Sequence, residues 1–148
     1  MRRFDSPYLA DWLATSLRWV VLVGLLISLS LRGELGSLPF GLFLIMLVWN
    51  ILNSILAAMN IRLNKNHRHF VLGVDFFLAA AYYWLQGGLD SASAWAGLMP
   101  ILTGAIYFEI WGALLVSAAF AVWQIVISRE QLLGLDLFAL NGVLLTLL

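Results

Sequence analysis

The chain has 148 residues, 63% of them hydrophobic and 11% charged, with eight basic and eight acidic side chains that cancel and no cysteine. So few charges cannot cover a water-facing exterior, and a mean hydropathy of +0.96 makes the bilayer the natural solvent, which excludes a soluble globule. Zero net charge without a polybasic run excludes a nucleic-acid surface, and the missing thiols exclude disulfides, thiolate metal sites and thiol redox sensing within this stretch.

The expectation is an all-α polytopic membrane bundle of about six transmembrane helices in a single domain, each span needing roughly 20 apolar residues. Met1, Arg2 and Arg3 imitate the head of a signal peptide. Asp5, Pro7 and Asp11 intervene, however, and the apolar run ends in Leu31-Arg32-Gly33-Glu34 without a small-x-small site, so the first span is read as uncleaved. Residues 1–12 form an interfacial segment, since Phe4, Tyr8, Leu9, Trp12 and Leu13 recur at helical spacing among Arg2, Arg3, Asp5 and Asp11. Spans follow near 13–31, 38–59, 70–85, 92–108, 110–127 and 132–148, separated by turn-forming or charged residues. Only Glu109 parts the fourth run from the fifth, so a single hairpin dipping into the membrane is the other reading of that pair.

Six spans put Arg2, Arg3, Arg18, Arg62, Lys65 and Arg68 on one side and Arg32 and Arg129 on the other. That bias places both termini in the cytoplasm. Trp12 and Trp19 then mark the inner interface, while Tyr82, Tyr83, Trp84 and Trp95 bracket the outer loop.

Several residues are candidates for contact or chemistry. Ala113, Ser117 and Ala121 form a small-residue line on the fifth run, and Gly24 with Ser28 a shorter one on the first. Asn50, Asn53 and Ser54 put two amides and a hydroxyl on one side of the second run, where they can bond across a helix interface. Pro100 removes a backbone donor and is expected to kink the fourth run. Asp75 falls within the first two turns of the third run, within reach of an ion pair with the basic loop of Arg62, Lys65 and Arg68; Glu109 and Asp136 lie at span ends. His67 and His69 flank Arg68 without a third ligand, which reads as loop histidines beside lipid headgroups and not as a metal site. The outer hairpin from Tyr82 to Trp95 offers Tyr83, Trp84, Gly87, Gly88, Asp90 and Trp95 to a ligand, two glycines permitting close backbone approach and the aromatics stacking. Spacing alone favours a helix cap, a turn and an aromatic belt over a ligand site.

From about residue 49 to 127, the stretches Tyr83-Trp84-Leu85-Gln86-Gly87-Gly88-Leu89-Asp90-Ser91, Leu98-Met99-Pro100-Ile101-Leu102 and Tyr107-Phe108-Glu109-Ile110-Trp111-Gly112-Ala113-Leu114-Leu115, with Asp75 opening the third run, resemble the membrane sensor region of bacterial sensor histidine kinases, distantly the RegB/PrrB-like redox sensors. The resemblance implies a multi-pass sensory input domain in the bacterial inner membrane. Such a domain contacts lipid, pairs as a homodimer and relays a membrane or periplasmic signal to a cytoplasmic kinase or other output domain. It also implies quinone as a candidate ligand. Gly87 and Gly88 match the family's Gly-Gly-x-x-Asn-Pro-Phe loop, while Ser91, Ala92 and Ser93 stand in place of Asn, Pro and Phe. The phosphorylatable histidine and ATP-binding domain of such a kinase have no counterpart here, so this chain is expected not to be an enzyme by itself. Its end inside an apolar run reads as a piece of a longer receptor. The competing expectation is a small stand-alone membrane protein, such as a transporter subunit or assembly partner.

Overall fold

The computed structural model describes residues 9–59, 61, 66–86 and 91–132, with side chains described throughout except at 91–93 and 128–132. Four helices follow one another: α1 (Leu9–Leu31), α2 (Leu38–Ala58), α3 (His67–Gln86) and α4 (Ser91–Leu132). At 1.5 Å per residue, the 23, 21 and 20 residues of α1, α2 and α3 span about 35, 32 and 30 Å, which matches a hydrocarbon core. Among the described residues, three stretches are both long and apolar enough to cross a membrane: α1, α2 and Ala94–Ile127 of α4. The chain is therefore a multi-pass membrane protein.

Local chemistry sets the ends of these helices. Past Leu31 the chain closes with Glu34 N–H bonding Leu29 C=O at 3.0 Å and Gly33 N–H bonding Ser30 C=O at 3.1 Å, a Schellman closure that needs the left-handed backbone of Gly33 (φ 68°). The α2 cap is Ser37, whose Oγ accepts from Phe40 N–H at 3.4 Å, with Pro39 in the first turn where its missing N–H costs nothing. α1 begins at Leu9, so the last third of the segment expected at the interface, residues 9–12, forms the first turn of a span; residues 1–8 lie outside the described residues.

The long α4 is two arms. Phe108 (φ −128°, ψ 15°) and Glu109 (φ 59°, ψ −153°) leave the helical region, and the chain doubles back there. Gly104 and Gly112 face each other backbone to backbone across the turn, so that a Cβ built on Gly112 would strike the Gly104 carbonyl. Tyr83 confirms the reversal by touching both Gly97 on the first arm and Phe120 on the second (ring centroids 5.3 Å). The boundary expected at Glu109 is thus a helical hairpin. Pro100 sits within the first arm, where the non-helical residues of α4 do not include it.

Burial follows the spacing of each helix. On α1 the inward line is Ala14, Arg18, Val21, Leu22, Leu25 and Leu29, and it meets Phe43 and Met46 of α2, Leu78 and Tyr82 of α3 and Ala96 and Met99 of α4. A second cluster, Ala79, Tyr83, Val116, Phe120 and Ile127, joins α3 to the second arm. The outward faces are as apolar as the core: Leu31, Phe77, Trp111 and Leu115 are each more than two-thirds exposed. A water-soluble bundle would carry charge on those faces; lipid demands none. The expected sixth run, 132–148, lies outside the described residues apart from its first residue.

Candidate functional site

The interior of the bundle holds a charge. Arg18 and Asp75 are almost fully buried, at 1% and 0% exposure, and pair through Nη2 and Oδ2 at 2.6 Å. Each sits inside an apolar helix, nine residues into α1 and eight into α3, about 12 to 14 Å from the helix start. An isolated ionised side chain there would cost about 3 kcal/mol on an insertion scale, so each ion is held by its counter-charge and by further hydrogen bonds. Thr103 of α4 donates its hydroxyl to Asp75 Oδ2 at 2.7 Å and accepts from Arg18 Nε at 3.2 Å and Nη2 at 3.1 Å. Trp49 of α2 donates its indole N–H to Asp75 Oδ1 at 2.9 Å. One carboxylate thus gathers donors from α1, α2 and α4 onto α3, and the four helices share one polar knot.

The knot continues toward one end of the bundle. Tyr107, just before the hairpin turn, bonds through its hydroxyl to Asp11 and lies within electrostatic reach of Arg18 and Asp75. Arg68 approaches Asp11 Oδ1 at 3.6 Å and stacks its guanidinium over the Tyr107 ring at 5.3 Å. Next to it the His69 ring packs on Phe108 at 4.6 Å. The starts of α1 and α3 and the turn of α4 are therefore tied together at one end of the bundle. At the opposite end, Gln86 Nε2 donates to Glu34 Oε2 at 2.9 Å and Arg32 approaches Glu34 Oε1 at 3.8 Å.

The candidate residues from the sequence fall in several places. Asn50 and Asn53 are buried; Asn53 Nδ2 donates to Trp49 C=O at 2.8 Å, while the Asn50 amide finds no hydrogen-bond partner among the described residues. Ser54 donates to Asn50 C=O at 2.8 Å and accepts from Trp19 Nε1 at 3.2 Å, so it bonds across the α1–α2 interface. Ala113 and Ser117 are half-buried and Ala121 is exposed, one position round the helix from the buried line of Gly112, Val116, Phe120 and Ile127. Tyr83 is buried against Gly97 and Phe120, and Trp95 lays its ring on Gly24, 2.6 Å from where a Cβ would stand. Trp84 is half-exposed and packs on Trp123 (6.0 Å); both line an apolar groove of about 510 Å³ with Phe76, Ala80 and Ala81. Gly87, Gly88 and Asp90 lie outside the described residues, so the structure brings Tyr83, Trp84 and Trp95 to one end of the bundle but to three different packing sites.

Sequence reading missed the partner of Asp75. The basic loop was the expected counter-charge, whereas Arg18 fills that role. The available signal was reciprocal: α1 and α3 each carry one charge at nearly the same depth inside an apolar run, and opposite signs at one depth pair. Thr103 and Trp49 gave no signal, because a lone threonine or tryptophan in a span is ordinary. Among the described residues no group of three His, Asp or Glu side chains could hold a metal ion. No protein-family model, no curated protein and no solved structure matches the chain.

Proposed function

We propose that this chain is a membrane-embedded sensory input domain of a bacterial signal-transduction receptor, of the sensor histidine kinase type. In this reading six spans cross the inner membrane with the basic end of the bundle in the cytoplasm, the domain works as a homodimer among lipids, and a change in its packing passes to a cytoplasmic output module. One observation carries the reading. A single buried carboxylate, Asp75, collects its donors from every other helix, so no helix can shift without remaking the knot, and such an element has discrete packings for a signal to bias. A transport path would instead leave its ionisable groups facing a water-filled route; here they are spent on one another. The resemblance of 49–127 to histidine-kinase sensor regions points the same way.

The test uses the receptor reading directly. In the parent protein, replacing Gly87 to Asp90 with a neutral flexible loop and, separately, Thr103→Val are each expected to change basal autophosphorylation several-fold while topology reporters show normal insertion. Output unchanged in both, with a folded bundle, refutes the sensory role.

A further inference from the structure

The hydroxyl of Thr103 has one hydrogen and two acceptors. Asp75 Oδ2 lies 2.7 Å away and the Met99 carbonyl 2.9 Å away. With Asp75 ionised, the hydrogen goes to the carboxylate. With Asp75 protonated at Oδ2, the new O–H donates to Thr103 Oγ, the Thr103 hydrogen turns to the Met99 carbonyl, and Trp49 keeps its bond to Oδ1 at 2.9 Å. Both protonation states therefore have partners for Asp75, the protonated one with Arg18 giving up one of its two bonds to Thr103 Oγ, since a hydroxyl oxygen has only two lone pairs. A carboxylate merely locked in an ion pair has only one such arrangement.

The surroundings give the proton a direction. From Asp75, polar groups continue to one end: Arg18, Tyr107, whose hydroxyl bonds Asp11, and then Arg68, which is about one-third exposed. Toward the other end the interior is closed by Leu25, Leu29, Met46, Leu78, Tyr82 and Met99, all buried. The charged and titratable groups around the site are Arg18 and Asp11 on α1, His67, His69 and Arg68 on α3 and Tyr107 on α4; α2 contributes the indole of Trp49. The loss of charge at Asp75 acts first on Arg18, whose Nη1 has no hydrogen-bond partner among the described residues. A guanidinium released from its counter-ion has donors free to pull α1 toward a new acceptor.

We infer that Asp75 and Thr103 form a proton-operated switch: a proton from the Asp11–Arg68 end of the bundle adds to Asp75 Oδ2, Thr103 turns its hydroxyl to Met99, and α1 loses its ionic tie to α3. The bookkeeping is one proton gained by one carboxylate, with no redox change. This inference names what the sensory domain reads and, for its effect on output, rests on that reading; the protonation itself is a property of this chain.

The experiment is infrared spectroscopy of the full chain in lipid nanodiscs as pH is lowered from about 9 to about 4. A protonated-carboxyl C=O component is expected to grow in the wild type and to be missing in Asp75→Asn, whose spectrum keeps only the band of the other acidic residues. Thr103→Val keeps the side-chain shape and the ion pair, and is expected to move the midpoint of that component by about one pH unit. A titration with no component dependent on Asp75 overturns the inference; should Asp75→Asn fail to fold, an unmoved midpoint in Thr103→Val overturns it equally. Asp75 titrating as described while receptor output ignores Asp75→Asn would leave the switch standing and sink the sensory reading.

Discussion

Asp75 Oδ2 and Arg18 Nη2 stand 2.6 Å apart, almost fully buried, and tie α3 to α1. A buried pair of this kind adds little net stability, because desolvation consumes most of the attraction, but losing one member strands the other. Arg18→Met should accordingly cost about 3 to 5 kcal/mol, since Asp75 is left buried without its counter-ion. Pairing it with Asp75→Leu should recover most of that loss, giving a coupling of several kcal/mol. Denaturant titration of all four forms in detergent measures it, and additive losses would show that the two side chains do not depend on each other.

The hairpin in α4 rests on two glycines. Gly104 and Gly112 let the arms approach until backbone meets backbone, and a Cβ on Gly112 has the Gly104 carbonyl and Phe108 Cβ in its way. Gly112→Val is expected to push the arms apart and to cost about 1 to 3 kcal/mol, the usual penalty of overpacking. Because Phe120 rides on the second arm against Phe76 and Tyr83, the same change should raise exposure of Tyr83, which iodination of the folded chain reads. Unaltered stability and labelling would mean the arms do not touch there.

What the sequence made legible was the solvent. Apolar runs of span length, with Arg32-Gly33-Glu34 and Ser37-Leu38-Pro39 between them, set α1 and α2 to within a few residues, because caps and turns are local chemistry. Even the α4 reversal was marked, by the lone Glu109 between two apolar runs. Less legible was which face of each helix turns inward, since lipid-facing and core-facing positions are equally apolar. The Ala113, Ser117, Ala121 line and the buried Gly112, Val116, Phe120 line look alike in sequence, and three-dimensional neighbours alone separate them. The knot was hidden for a related reason. Arg18 reads as one more basic residue near the inner interface until Asp75 is seen beside it, and Thr103 has no meaning without both.

Glu109 occupies a backbone region that is almost confined to glycine, with φ at 59° and ψ at −153°. A residue held there stores about 1 to 3 kcal/mol of strain. Glu109→Gly should release part of it and raise the midpoint of thermal unfolding, while Glu109→Pro, which cannot adopt positive φ, should disrupt the turn. Should glycine instead lower stability, the carboxylate would have to hold a contact that outweighs the backbone cost.

Absence of cysteine makes the topology directly testable without a background to remove. Asn66 is exposed beside the start of α3, and Leu35 is exposed in the turn between α1 and α2 at the other end. In intact cells a membrane-impermeant maleimide should label Leu35→Cys and spare Asn66→Cys until the membrane is opened, because short basic loops stay inside. Reversed labelling would invert the orientation, and labelling of both from outside would break the multi-pass arrangement.

Asn50 supplies the sharpest contrast between stability and use. It is fully buried, and neither its Oδ1 nor its Nδ2 meets a hydrogen-bond partner among the described residues. Leaving an amide in that condition costs about 1 to 3 kcal/mol, so Asn50→Leu, nearly equal in volume, should stabilise the bundle by a similar amount. Asn50 neighbours Trp49, the donor to Asp75, so if the chain is the sensory domain proposed above, the same substitution should alter receptor output even as it raises thermal stability. If Asn50→Leu instead weakens the bundle, the amide is satisfied in the membrane by something that belongs to the working protein, and a second, internal contact of α2 would have to be added to the knot.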